Sequence, residues 1–176
     1  LRLAPMTTYT VTVAAGVTDT YGQTTTAPTS WTFTTGHYEP MVHAPQGTQL
    51  YPANNPPELP LRSRNLRTLY AKVTRLRVAD LVGPAASGYA DPVGGAPFNE
   101  ATQIALFTDR ALDDAVHIDT LDLRPYLADG KGILRVEVWS PDYKGWNDEP
   151  YVHTSTLQVT DLGATVKLGP NGATVW

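Results

Sequence analysis

Leu121-Asp122-Leu123-Arg124-Pro125-Tyr126-Leu127, a turn at Asp129-Gly130-Lys131-Gly132, and then Ile133-Leu134-Arg135-Val136-Glu137-Val138-Trp139 open the stretch that decides the fold. It closes, after a polar loop from Ser140 to Pro150, with Val152-His153-Thr154-Ser155-Thr156-Leu157-Gln158-Val159-Thr160-Asp161-Leu162-Gly163. Leu134, Val136 and Val138 share one parity, and Arg135 and Glu137 the other. Leu157 and Val159 alternate with Gln158 and Thr160 in the same way. Period-two runs bounded by Gly, Pro and Asp predict half-buried antiparallel strands. The stretch reads as a β-hairpin without chemistry of its own.

Working outward, the composition agrees with an all-β chain. In 176 residues Thr and Val are frequent and only 2 Met occur, a bias towards strands. The 15 Pro and 14 Gly are scattered, which suits many turns rather than disorder. A net charge of −4 argues against a nucleic-acid surface, which would need a basic stripe. No run reaches the roughly 20 apolar residues of a membrane span. With no Cys, disulfides, thiolate metal sites and a Cys nucleophile are excluded from these residues.

Towards the N-terminus, Tyr9, Val11 and Val13 alternate with Thr10 and Thr12, and Trp31 and Phe33 with Ser30, Thr32 and Thr34. This predicts a hairpin with one apolar face, joined by a turn-rich connection through Asp19 and Gly22. A lone hairpin is marginal in water, so that face is expected to need a covering partner. Residues 37–60 carry repeated Pro and predict an extended linker, with Met41, Val42, Leu50 and Tyr51 as anchors. Residues 61–163 make the main sandwich. In it, Leu69, Ala71 and Val73 predict a strand, although Leu66, Leu69, Tyr70, Val73 and Leu76 also fit helical spacing. Residues 79–100 predict an irregular loop with a short helix near Val78–Val82. Ile104–Phe107 fits a short strand or a helical turn. Asp113–Leu123 predicts a strand with Val116, Ile118 and Leu121 inward. Residues 164–176 start a following domain, with a tight turn at Asn171-Gly172.

Two resemblances organise these pieces. Thr7–Val13, Gly16-Val17-Thr18-Asp19, Gly22 and Trp31–Gly36 are similar to the closing half of a bacterial Ig-like domain. That resemblance assigns residues 1–36 to the C-terminal part of such a domain and implies that its first strands lie outside this chain. Leu121–Leu127, Gly132–Val138, Leu157–Gly163 and Ala173–Trp176 together resemble the bacterial alpha-2-macroglobulins, with Thr160-Asp161-Leu162-Gly163 followed by Val166-Lys167 the most specific part. Asn65-Leu66 and Leu69–Thr74 resemble a domain's opening strand in that family. The resemblance implies an Ig-like or macroglobulin antiparallel β-sandwich carrying an extra partial Ig-like hairpin. It implies a scaffold segment of an exported protein of the bacterial periplasm or cell envelope that traps proteases. The implied partners are neighbouring β-domains of the same parent and, through the whole protein, a target protease. The family's thioester motif needs a Cys, so no functional residue is carried over.

Catalytic chemistry finds little support. His37, His43, His117 and His153 lack metal-ligand spacing and read as surface or strand histidines. Asp113-Asp114 and Asp148-Glu149 could pair as acids, but sit in turn-like contexts. Asp19, Asp91 and Asn99 do not form a calcium-binding loop. No nucleophile elbow or phosphate-cradling loop occurs. We therefore expect no enzyme activity, no cofactor and no metal. One candidate binding surface stands out: Tyr143 and Trp146, next to Trp139, could form a sugar-stacking platform or a protein hot spot. The competing reading puts Trp139 in the core, with Tyr143 and Trp146 closing the loop over a neighbour. The rival functions are an Ig-like surface or adhesin module for protein or glycan, and an accessory β-domain of a secreted hydrolase.

Overall fold

The computed structural model describes residues 3–77, 101–162, 166–169 and 172–175, the last two segments and residue 101 by backbone alone. The chain divides into two compact units, Leu1–Glu39 and Pro40–Trp176.

The first unit is a two-stranded antiparallel sheet of β1 (Thr8–Val13) and β2 (Thr29–Thr34). Its register sets Tyr9 opposite Phe33 and Val11 opposite Trp31, so the apolar residues share one face as the alternation predicts. Tyr9 and Phe33 stack with centroids 5.6 Å apart. Thr8 with Thr34 and Thr12 with Ser30 exchange hydroxyl hydrogen bonds on the other face. The connection is built around Asp19, whose Oδ1 accepts from the backbone N–H groups of Tyr21 and Gln23. Gly22 takes φ +82°, a conformation costly for any residue with a Cβ. None of the described residues from 3 to 39 is buried, and Trp31 is 50% exposed.

The second unit is a sandwich. Its larger sheet has the order β4 (Gly47–Pro52), β10 (His153–Thr160), β9 (Gly132–Trp139), β6 (Leu69–Leu76), β7 (Ala101–Phe107). Its smaller sheet has the order β3 (Met41–His43), β5 (Glu58–Arg64), β8 (His117–Asp122). A turn of 3-10 helix, Arg124–Tyr126, joins β8 to the turn before β9. β11 (Val166–Gly169) and β12 (Gly172–Val175) pair as a separate two-stranded ladder. One buried cluster joins the two larger sheets: Val42, Leu59, Leu61 and Leu121 from the smaller, Leu69, Val73, Leu134, Val136, Val138, Leu157 and Val159 from the larger. Burying side chains of this size contributes about 1.5–3 kcal/mol each, before the entropy of ordering them.

The β9–β10 hairpin forms in the register the alternation requires, with Leu134 opposite Leu157 and both fully buried. Residues 69–76 are a strand rather than a helix, and 101–107 are a strand. Three expectations change. Residues 37–60 hold β3, β4 and the start of β5, so the sandwich begins at Met41 rather than at residue 61. β4 pairs parallel with β10, giving an otherwise antiparallel sheet one parallel ladder and placing the hairpin mid-sheet. In β8 the inward parity belongs to Asp119 and Leu121, whereas Val116 and Ile118 are 51% and 69% exposed. The polar inward position is stable because Asp119 meets Arg110 through two hydrogen bonds of 2.7 and 2.8 Å and accepts another from Ser63. The expected loop and helix at 78–100, and Asn171 of the expected turn, lie outside the described residues.

Candidate functional site

Residues 139–153 carry the aromatic side chains that the sequence singles out. Trp139 has the parity of Arg135 and Glu137, so it lies on the outer face of the larger sheet. There it stacks on Tyr70 of β6, 5.7 Å between centroids, and does not enter the core. Beyond it the chain turns at once. Ser140 is fully buried, its Oγ accepts from the Asp142 N–H at 3.1 Å, and its carbonyl accepts from the Tyr143 N–H. The Asp142 carboxylate accepts from the backbone N–H groups of Arg67 and Thr68, at 2.7 and 3.2 Å. These bonds pin the loop to the β5–β6 connection.

From Tyr143 the loop becomes a small hairpin. The Tyr151 N–H donates to the Tyr143 carbonyl, Lys144 bridges Pro150, and the Gly145 N–H donates to the Glu149 carbonyl at 2.8 Å. The Asp148 N–H closes the turn on the Gly145 carbonyl. Asp148 has φ +64°, tolerated by its short polar side chain. Lys144 Nζ contacts the Asp148 carboxylate at 3.0 Å. At the apex of this braced turn Trp146 is 100% exposed.

Tyr143 and Trp146 therefore do not form one platform. Tyr143 is half-buried against the core, with its ring 5.9 Å from Tyr151 and stacked 6.4 Å from His153. Trp146 stands in solvent. A shallow depression of about 580 Å³ lies on the outer sheet face, lined by Lys72, Gln103, Glu137, Trp139, Glu149, Pro150 and Val152. Lys72 and Glu137 form an ion pair across it at 3.6 Å.

The other candidates take up local bonding. His117 Nε2 lies 2.8 Å from Asp113, whose carboxyl is held below its usual range chiefly by that hydrogen bond. Asp114 accepts from the Asn65 amide at 2.6 Å. Asp148 and Glu149 brace the turn. Asp19 organises its own connection, while Asp91 and Asn99 lie outside the described residues. Among the described residues no three His, Asp or Glu side chains converge as a metal site, and no helix is long and apolar enough to cross a membrane.

Sequence reasoning missed the environment of His153. It is 6% exposed, on the inward face of β10. Its parity, shared with Leu157 and Val159, carried that signal. Nδ1 lies 2.9 Å from the Gln46 amide nitrogen, which fixes Nδ1 as the acceptor and puts the ring proton on Nε2. Nε2 has no hydrogen-bond partner among the described residues. Burial holds the imidazole below its ordinary value, and the positive field of His43 adds to this. The nearby Val42 backbone acts the other way but makes no hydrogen bond of acceptable geometry, so burial dominates.

Comparison with known proteins adds two findings. A family model described as a bacterial Ig-like domain matches residues 2–35. No curated protein matches the chain in sequence. Among solved structures, native alpha-2-macroglobulin from Escherichia coli, spanning domains MG0-NIE-MG1, superposes with a TM-score of 0.56 at 16% identity, covering 96% of this chain and 54% of that one. A Salmonella alpha-2-macroglobulin mutant, Y1175G, superposes with a TM-score of 0.65 at 16% identity, covering 94% of this chain and 10% of that one. The chain thus spans about half of the first structure and a tenth of the second, and at this identity what it shares with them is the fold.

Proposed function

We propose that this chain is a non-catalytic scaffold segment of a bacterial alpha-2-macroglobulin-like protein that traps proteases. The observation that carries this reading is the likeness of fold over 94% of the chain, at a TM-score of 0.65. The Ig-like match at residues 2–35 supports it, since it falls on the hairpin unit and stops short of the sandwich. The side chains support it too, because Asp19, Asp113, Asp114, His117, Asp148 and Glu149, all weighed as catalytic or metal-ligating groups, are engaged in turns and local hydrogen bonds or ion pairs. The role of the segment is mechanical: a sandwich with a rigid centre passes changes of shape between neighbouring domains. The parent protein is exported and works in the periplasm or cell envelope, with a protease as its target.

The test uses the parent protein that contains this chain. Incubated with a broad-specificity protease, it is expected to be cleaved and to hold the protease in a complex. The held protease still cleaves a small peptide but no longer a large protein substrate. The chain alone is expected to leave the protease fully active and to show no hydrolase turnover. A parent protein that neither retains nor shields any protease would overturn the reading. So would turnover by the pure chain that one acidic substitution abolishes.

One observation favours a second reading, a binding module for glycan or protein: the fully exposed Trp146 on its braced turn. A glycan array with the native chain and Trp146→Ala decides the sugar version. Binding lost in the variant supports it, and no binding by the native chain removes it.

A further inference from the structure

The inward face of β10 begins with two polar residues, His153 and Ser155, before Leu157 and Val159. Both point at one feature, the corner Ala44–Gly47, where the chain leaves β3 in the smaller sheet and enters β4 in the larger. Ser155 Oγ donates to the Pro45 carbonyl. The Gln46 amide donates to His153 Nδ1 at 2.9 Å. The parallel ladder of β4 starts immediately afterwards, at Gly47 opposite Ser155. Two side chains of β10 therefore hold the corner from which an edge strand hangs.

The His153 ring is built in as a neutral group. Tyr143 stacks on it and the edge of Tyr151 meets it at 4.9 Å, both from the β9–β10 loop. From β3 the titratable group that acts on it is His43, which in its protonated form opposes a positive charge on His153. From the corner it meets the uncharged Gln46. Glu137, on the neighbouring strand, is paired with Thr154 and belongs to the opposite face of the sheet. Protonating Nδ1 removes the lone pair that the Gln46 N–H meets at 2.9 Å, so that bond must break or the amide must turn its oxygen to the ring, and it buries a cation without a carboxylate partner. The element that can give way is β4, whose other edge meets no strand among the described residues and whose Leu50 is 63% exposed.

We propose that His153 is an acid-sensitive latch: protonating its ring releases Gln46 and lets the corner and β4 open, together with the Tyr143–Tyr151 loop, while β5, β6, β8 and β9 stay in place. An opened ring titrates near its ordinary value of 6.5, so acid draws the equilibrium towards the open form.

Amide hydrogen exchange on the whole chain at about pH 7.5 and about pH 5, corrected for the intrinsic rate at each pH, tests this. Protection over residues 46–53 is expected to fall roughly tenfold in acid, with β6 and β9 unchanged. His153→Gln, which cannot titrate, is expected to show the same protection at both pH values. Equal protection in the native chain at both pH values would overturn the latch. So would the same loss in the variant, or a loss shared equally by β6 and β9. Ring NMR of the native chain needs no variant: His153 is expected to titrate below 6.5, and a midpoint at or above that value contradicts the proposal.

Discussion

The hairpin unit and the sandwich use the same strand grammar with opposite results. Both alternate apolar and polar residues cleanly. In β1–β2 the apolar face of Tyr9, Val11, Trp31 and Phe33 ends exposed or half-exposed, and none of the described residues is buried. In β9–β10 the corresponding face of Leu134, Val136, Val138, Leu157 and Val159 is almost fully shielded, because the smaller sheet lies over it. Alternation specifies a strand and its inward face, but stability comes from the second layer that the face meets. The sandwich carries its own core, whereas the two strands of the hairpin unit bury none of their side chains.

Substitutions can break this contrast, and the largest effect belongs to the core. Leu134→Ala or Leu157→Ala is expected to destabilise the sandwich by about 2–5 kcal/mol, measured by denaturant unfolding. Trp31→Ala, in the hairpin, is expected to leave that transition within about 0.5 kcal/mol of the native value. Equal effects at the two sites would erase the contrast. A smaller loss is expected from Asp119→Asn, which removes the charge that Arg110 and Ser63 hold on the inward face of β8. With the ion pair about a quarter exposed, about 1 kcal/mol is expected.

Acid sharpens the contrast further. His153, depressed by burial, favours the folded sandwich fully above about pH 6.5, and this stability is lost as pH falls towards its lower folded value. Asp119 is depressed chiefly by its hydrogen bond from Arg110, so its contribution is present above 3.8 and is lost as pH falls further. Unfolding midpoints measured from pH 8 down to about pH 3 should thus decline in two stages, and His153→Gln should remove the upper one. The smallest effect is expected at Trp146. Its replacement by Ala should change stability by less than about 0.5 kcal/mol, since the exposed indole supports no packing.

Much of the larger sheet was legible in the sequence because a one-residue slip would turn a whole apolar set outward, as for Leu134, Val136 and Val138. β3 and β4 were not, because the repeated Pro of residues 37–60 read as an extended linker. The structure puts Pro45 at the corner and Pro52 at the end of an edge strand. It puts Pro60 in β5 opposite Thr120 of β8 and beyond the last residue paired with β3, so its other side borders no strand among the described residues. Ile118 misled because apolar character normally marks the inward face, and here the Arg110–Asp119 pair occupies it. Trp139 misled through its size, although its parity with Glu137 already placed it outside. Tyr143 and Trp146 were found as residues but not as an arrangement, since only the turn through Gly145 and Asp148 sends one inward and the other to solvent.

The central claim is that the sandwich is the autonomous body of this chain and the hairpin a dependent unit. Residue-resolved amide exchange on the whole chain under increasing denaturant tests it directly. The account predicts that β6, β9 and β10 share the highest opening free energy and exchange together, while β1 and β2 exchange well before them. Protection of β1 and β2 that matches β9 and disappears in the same cooperative step would contradict it.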